Sequence, residues 1–348
     1  MSAIEKIDKN FLINAKIDKD DIEFYDIKKA PFDLYGVFWA DGSYRRMPEE
    51  VAKNVSDMVY RLHTRTAGGR VRFVTDSEYV AIKAETNLLV KVAHFTLAGT
   101  SGLDMYVGNE HVKTFLPPQE IEDGFFAGIM DFGTRELREI TINLPLYTEL
   151  NELYIGIQEG AVLKEGAPYS NEKPIVYYGS SITMGGCASR AGTCYPNIVS
   201  REFNYDYVNL GFSGSALGED EMADYIKGLD MHAFVLDYDH NAPTLEHLAS
   251  THEKMFKAVR EAQPELPIII MGRPQYKLVG DDDKRREIIE ATYNNAIANG
   301  DKNVYYISSA KLTEICKSEG TIDGAHQTDF GFASMAKALC DVIRENNI

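Results

Sequence analysis

Two short stretches, Tyr178-Gly179-Ser180-Ser181-Ile182-Thr183 and Asp323-Gly324-Ala325-His326, hold a hydroxyl, an imidazole and a carboxylate between them. A serine hydroxyl is a poor nucleophile until a base takes its proton, so Ser181 needs His326. His326 in turn needs Asp323 to fix its tautomer and steady the imidazolium. The first stretch follows the apolar run Pro174 to Tyr178, which puts Ser181 at the carboxyl end of a buried strand, where open α/β sheets place their ligands. The three-residue spacing of Asp323 and His326 lets one carboxylate hold its neighbour's imidazole while the other ring nitrogen faces the serine. Taken singly, a serine after a strand is more often a turn or cap residue, and Asp-Gly before a helix is a common turn. Their chain order, nucleophile then acid then base, favours a serine hydrolase.

Other chemistries fit less well. His247 and His252 stand five apart and do not share a helical face as HExxH requires, so no metal site is expected. The run Gly211-x-x-Gly214-x-x-x-Gly218 is neither a dinucleotide fingerprint nor a Walker loop, and no organic cofactor is expected either. Thr183 occupies the last position of what would be Gly-x-Ser-x-Gly, which disfavours the nucleophile-elbow fold.

The elements that must position these residues fall into two halves. Up to about residue 165 the apolar residues recur at period two: Val80-Ile82-Ala84, Leu89 with Ala93-Phe95-Leu97, Ile140-Ile142-Leu144-Leu146 and Leu153-Ile155-Ile157. This predicts a β-sandwich over residues 1–168, with one inserted helix from Pro48 to Leu62. After the polar link Lys164 to Lys173 the pattern becomes strand, loop, helix, repeated. Strands are expected at Ile175–Tyr178, Tyr207–Leu210, Ala233–Tyr238, Pro267–Met271 and Val304–Ile307, and a helix at Thr244–Gln263. Such alternation predicts a parallel sheet covered on both faces over residues 169–348. Asp281-Asp282-Asp283 reads as a solvated helix start.

Composition narrows the partners. Lys+Arg 36 against Asp+Glu 53 gives a formal charge of -17, which repels phosphate backbones and anionic lipid, so neither nucleic acid nor membrane is an expected partner. No apolar run approaches the roughly 20 residues that span a bilayer, and the first residues lack a signal-peptide core. Four cysteines are too few for a disulfide framework, and a cytoplasmic location is expected. Cys187 and Cys194 flank a Gly-rich loop after Ser181, where a bridge or a reactive thiol is an open alternative to free thiols.

Gly179-Ser180-Ser181-Ile182-Thr183 resembles the nucleophile block of the SGNH (GDSL-type) esterases, and Asp323-Gly324-Ala325-His326 their closing block, over about residues 172 to 345. Asn209-Leu210-Gly211-Phe212-Ser213-Gly214 resembles the second block, which implies that the Gly214 amide helps bind an oxyanion. The third block departs from the family pattern: Asp239-His240-Asn241-Ala242 keeps the asparagine but lacks the glycine and the second acid. Gly102-Leu103-Asp104-Met105-Tyr106 resembles the GxDLY domain that precedes some SGNH domains, with methionine for leucine at 105. The resemblance implies a flavodoxin-like three-layer α/β/α hydrolase domain after an all-β, jelly-roll-like sandwich. It also implies an oxyanion hole from the Ser181 and Gly214 amides and the Asn241 side chain, on three successive strand ends. Asn241 has a rival role as the cap of the helix that follows, and Asp239 and His240 are candidates for lining the pocket.

The expected reaction is hydrolysis of short acyl esters, acetyl foremost, on a small molecule or oligosaccharide. An acyltransferase, a lipase or thioesterase, and a non-catalytic carbohydrate-binding protein are the alternatives. Tyr35, Phe38, Trp39 and Tyr44 are candidates for stacking on sugar, against a role in the sandwich core. Whether the chain forms a homo-oligomer is left open.

Overall fold

The computed structural model describes residues 17–121 and 123–348. The first half is a sandwich of two antiparallel sheets. One runs in the order Ile22–Asp26, Glu152–Gln158, Tyr79–Glu85, Phe125–Asp131. The other runs Leu163–Glu165, Arg70–Thr75, Arg138–Asn143, Leu103–Val107, Glu110–Phe115, with Asp33–Tyr35 also paired to Arg70–Thr75. Alternate residues of each strand meet in one core: Val80, Ile82, Ile155 and Ile157 face Val71, Phe73, Met105, Ile140 and Ile142.

Three expectations need correction. No strand passes through Leu89, Ala93, Phe95 and Leu97. That stretch is a loop ending in the helix Leu97–Ser101, which Thr96 caps by accepting the Gly99 N–H at 2.9 Å. Of its apolar residues Leu89 is buried, Ala93 is exposed and Phe95 packs on the core of the second half, so their alternation does not mark a sheet face. The helix Pro48 to Leu62 is two, Glu49–Val55 and Asp57–Leu62, broken at Ser56, whose extended backbone lets its side chain cap the second helix. Asp282 is not solvated: it is buried in the first turn of Asp282–Ala298, accepts the Val279 N–H at 2.9 Å and lies 3.4 Å from Arg273.

The second half is a parallel sheet. Numbering its strands within this half, β1 is Ile175–Gly179, β2 Tyr207–Gly211, β3 Ala233–Asp237, β4 Ile268–Met271 and β5 Val304–Ile307. Their spatial order is 2-1-3-4-5, the flavodoxin-like arrangement, whose ligand crevice opens at the carboxyl ends beside β1 and β3. Alternate side chains separate two cores. Ile175, Tyr177, Ala233 and Val235 pack under the helices Tyr195–Phe203 and Asp329–Asn346. Val176, Tyr178, Phe234 and Leu236 pack under Asp220–Lys227, Leu245–Ala262 and Asp282–Ala298. The halves join through these cores, since Leu146 and Tyr147 enter the first and Met47, Ala52 and Val59 the second. Among the described residues, no helix is long and apolar enough to cross a membrane.

Asp237 ends β3 buried, accepting the hydroxyls of Thr183 and Tyr195 at 3.0 Å each. Burial pushes its carboxyl up to about 7; the two hydroxyls pull the other way, and the Asp239 charge adds to the rise. A carboxyl whose folded value lies above its unfolded 3.8 contributes stability that is complete at low pH and is lost as pH rises toward 7. Asp237→Asn is therefore expected to leave the melting temperature near wild type at pH 4.5 and to raise it at pH 8, by up to the order of 4 kcal/mol in stability. Melting curves that stay parallel across that range would reject this reading.

Candidate active site

The turn that carries Ser181 is tightly constrained. Ser180 caps the four-residue helix Ser181–Met184 by accepting the Ile182 N–H at 3.1 Å. Its role is structural, and Ser181 is the hydroxyl that points outward. Gly179 must be glycine: a Cβ there would meet Thr183 Oγ1 at 2.0 Å and the Asp237 carbonyl oxygen at 2.3 Å. Ser181 Oγ lies 2.9 Å from His326 Nε2, and His326 Nδ1 lies 2.7 Å from Asp323 Oδ2. The three groups predicted from the sequence thus meet in a single line.

Asp323 is held as an acceptor. Its other oxygen takes the N–H groups of Ala325 at 3.0 Å and His326 at 2.7 Å. Burial opposes its charge, but the His326 ring and these two amides outweigh that and hold the carboxyl down at about 2. Asp329, the nearby acid that could have replaced it, is spent on the Ser189 N–H at 2.8 Å and the Thr193 hydroxyl at 2.7 Å. Gln275 Nε2 donates to the Gly324 carbonyl at 2.9 Å, and Gln327 Nε2 to the Pro274 carbonyl at 2.9 Å, which ties the acid-base loop to the chain after β4.

The three groups expected to bind an oxyanion stand on neighbouring loops. Among the described residues, the N–H groups of Ser181 and Gly214 meet no protein acceptor. Gly214 has φ +68, a conformation that favours glycine, and open space where a Cβ would stand. Asn241 Nδ2 donates to the Phe212 carbonyl at 2.9 Å, which links the turn after β3 to the loop after β2 and leaves the amide a second hydrogen. Asn241 does not cap the following helix; Thr244 does, accepting the His247 N–H at 3.1 Å. Asp239 is not available to a substrate either, being clamped by Arg273 and Arg285 at 2.8 Å each. Burial, then the Arg273 charge, bring His240 down to about 3. A neutral, half-buried ring beside the site results. His247 and His252 bond to the Leu217 carbonyl and the Thr292 hydroxyl, separately.

The first half supplies residues that sequence spacing did not reveal. Phe95 packs edge-on against His326, ring centres 5.6 Å apart, and against Tyr147 at 5.0 Å. Tyr147 donates its hydroxyl to the Ser181 carbonyl at 3.2 Å. The Asp104 and Tyr106 of the Gly-Leu-Asp-Met-Tyr segment also reach across. Asp104 is fully enclosed and accepts from Arg190 at 2.7 Å and the Gly192 N–H at 2.9 Å, while Tyr106 meets the same Arg190. Arg46, buried without a carboxylate partner among the described residues, donates to the carbonyls of Asn209 at 2.8 Å, Gly211 at 2.6 Å and Leu62 at 2.7 Å. Of the aromatic residues proposed to stack on sugar, Tyr44 is in the sandwich core with Trp39 against it, Tyr35 packs on Tyr169, and Phe38 is exposed. All four cysteines are free and buried, and burial pushes the Cys187 and Cys194 thiols up to about 12 and 11.

This fold and this line of serine, histidine and aspartate define an SGNH-type hydrolase. Residues 172–344 match the GDSL-like Lipase/Acylhydrolase family, and residues 22–163 match the N-terminus of the SGNH hydrolase-type esterases. The chain belongs to this esterase family. Among solved structures it is similar to a GDSL-like lipase from Bacteroides ovatus, with 27% identity, TM-score 0.82, and 93% of this chain and 97% of that one covered. It shares its fold with the salicylyl-acyltransferase SsfX3 from a tetracycline biosynthetic pathway, at 18% identity and TM-score 0.74 over 95% of this chain and 99% of that one. The same holds for the acetyl xylan esterase Est2A from Butyrivibrio proteoclasticus, at 14% identity and TM-score 0.61 over 94% and 98%. No curated protein matches the chain in sequence.

The Asn241 side chain is testable directly. Asn241→Ala removes both the 2.9 Å tie to Phe212 and the spare N–H. The variant is expected to lose about 10²- to 10³-fold in kcat with little change in KM. A change confined to thermal stability would leave Asn241 as a loop tie only.

Proposed function

We propose that this esterase hydrolyses short acyl esters, acetyl foremost, of carbohydrates through an acyl-enzyme on Ser181. The observation that carries the reading is the relay from Ser181 Oγ through His326 to Asp323, at 2.9 and 2.7 Å. Ser181 Oγ attacks the ester carbonyl carbon as its proton passes to His326 Nε2. The tetrahedral oxyanion takes hydrogen bonds from the Ser181 and Gly214 amides and the free Asn241 N–H. The carbon–oxygen bond to the sugar then breaks, and the departing alkoxide takes the proton from His326. Water, deprotonated by His326, attacks the acyl-serine and releases the acid.

The preference for a sugar ester rests on the composition of the site. Phe95 of the first half, residues 1–168 in this reading, puts aromatic surface against His326, with Tyr147 packed behind it, which suits a small acyl group. Two fold neighbours are named as carbohydrate esterases of family two, one from Clostridium thermocellum in complex with cellohexaose, which is in keeping with such a substrate. The acyltransferase SsfX3 shares the fold as well, so an alcohol acceptor in place of water is the second reading.

Mass spectrometry of acetylated oligosaccharides incubated with the enzyme, with and without added alcohols, separates the two. Free acetate is expected to account for nearly all acetyl groups lost, and acetyl recovered on the added alcohol would turn the reading toward transfer. Asp323→Asn should keep the fold and lower kcat about 10⁴-fold through the wrong His326 tautomer. An unchanged rate would remove Asp323 from the relay.

A further inference from the structure

His94 and Cys187 lie against the relay, yet no step of ester hydrolysis uses either. His94 comes from the loop before Leu97–Ser101 in the first half, and Cys187 from the loop after the nucleophile helix. His94 Nε2 is buried without a hydrogen bond. It faces Asp323 Oδ2 at 3.7 Å, too far for one. Cys187 holds φ 68, a left-handed conformation that residues other than glycine seldom adopt. Its thiol makes one long contact, to the His94 carbonyl at 3.4 Å. Among the described residues, His94, Cys187 and His326 are the one trio whose donor atoms, two imidazole nitrogens and a sulfur, all lie within 4.8 Å of one another.

We propose that His94, Cys187 and His326 form an inhibitory site for a soft divalent cation of the Zn²⁺ class, which switches the esterase off by occupying the imidazole of its base. Nitrogen and thiolate donors select Zn²⁺ over Mg²⁺ or Ca²⁺, which take oxygen. A tetrahedral ion bonded at about 2.0–2.1 Å to nitrogen and about 2.3 Å to sulfur needs these donors about 3.3–3.6 Å apart, so the widest pair of the trio must close by up to about 1.5 Å. The fourth position falls to water or to Asp323 Oδ2, which already lies 3.7 Å from His94 Nε2. On binding, the thiol of Cys187 releases its proton to solvent and the imidazoles give lone pairs. Either nitrogen of His326 that binds the ion leaves its place in the relay, since Nε2 faces Ser181 and Nδ1 faces Asp323.

Inhibition rests on the relay reading, whereas cation binding does not, and the two are tested apart. Co²⁺ added to the full-length protein, and to Ser181→Ala, should give a sulfur-to-cobalt charge-transfer band in the near ultraviolet. Tetrahedral visible bands should accompany it at one ion per chain, displaced by Zn²⁺. The charge-transfer band should vanish in Cys187→Ser, and His94→Gln, which keeps the thiol, should weaken binding by about 10- to 100-fold or more. In the assay, Zn²⁺ should inhibit aryl acetate hydrolysis reversibly by EDTA, with half-inhibition moved upward by the same factor in Cys187→Ser. No charge-transfer band in the unmodified protein, a band that survives Cys187→Ser, or equal Zn²⁺ sensitivity in both enzymes would overturn the proposal. A protein that shows the band but no esterase activity would sink the hydrolase reading and leave the cation site standing.

Discussion

The site depends on the register of three parallel strands. Gly179 pairs with Gly211 on one side and with Asp237 on the other, so β1, β2 and β3 end level. The loops bearing Ser181, Gly214 and Asn241 then leave from neighbouring points on one edge of the sheet. A slip of one residue would turn each strand's side chains to the opposite core and separate the loops. Two compact contacts hold the level ends. The Asp237 carboxylate binds Thr183 of the nucleophile helix, and the Phe212 N–H donates to the Gly179 carbonyl at 2.8 Å.

The sandwich is part of this arrangement and not an appendage. Arg46 reaches from the first half to the end of β2, where its Nη1 serves the Asn209 and Gly211 carbonyls while its Nη2 serves that of Leu62, a planar spread of donors that a single ammonium does not offer. On the other flank, Thr96 donates to the Ser189 carbonyl at 2.8 Å while Asp104 holds Arg190 and the Gly192 amide. The segment after the nucleophile helix is therefore fastened by the first half at Ser189, Arg190 and Gly192, and by Asp329 of the second half at Ser189 and Thr193. Fully buried charge such as that of Asp104 is costly unless paired, so removing either partner of the Asp104–Arg190 pair would disturb the loop more than its surface area suggests.

What could be read from the sequence followed physical scale. The parallel strands were legible because each is a short apolar run between turn signals, and Ser181, Asp323 and His326 because chemistry restricts residue type and order. The helix break at Ser56 was not, since a single extended residue leaves the apolar spacing of two short helices almost continuous. Leu89 to Leu97 misled for a different reason: apolar residues in a loop can fall at alternate positions with unrelated surroundings, Leu89 buried and Ala93 exposed, and the spacing alone does not tell them from a sheet face. His94, Phe95 and Tyr147 converge on His326 and Ser181 only through tertiary packing, and no spacing along the chain carries that information.

The most direct test of the account is to trap the nucleophile. After reaction of the full-length protein with a fluorophosphonate, mass spectrometry of its peptides should place a single adduct on Ser181, and Ser181→Ala should show none while Ser180→Ala is still labelled. An adduct on Ser180 or elsewhere, or no adduct on a folded protein that hydrolyses esters, would contradict the claim that the Ser181–His326–Asp323 relay performs the chemistry.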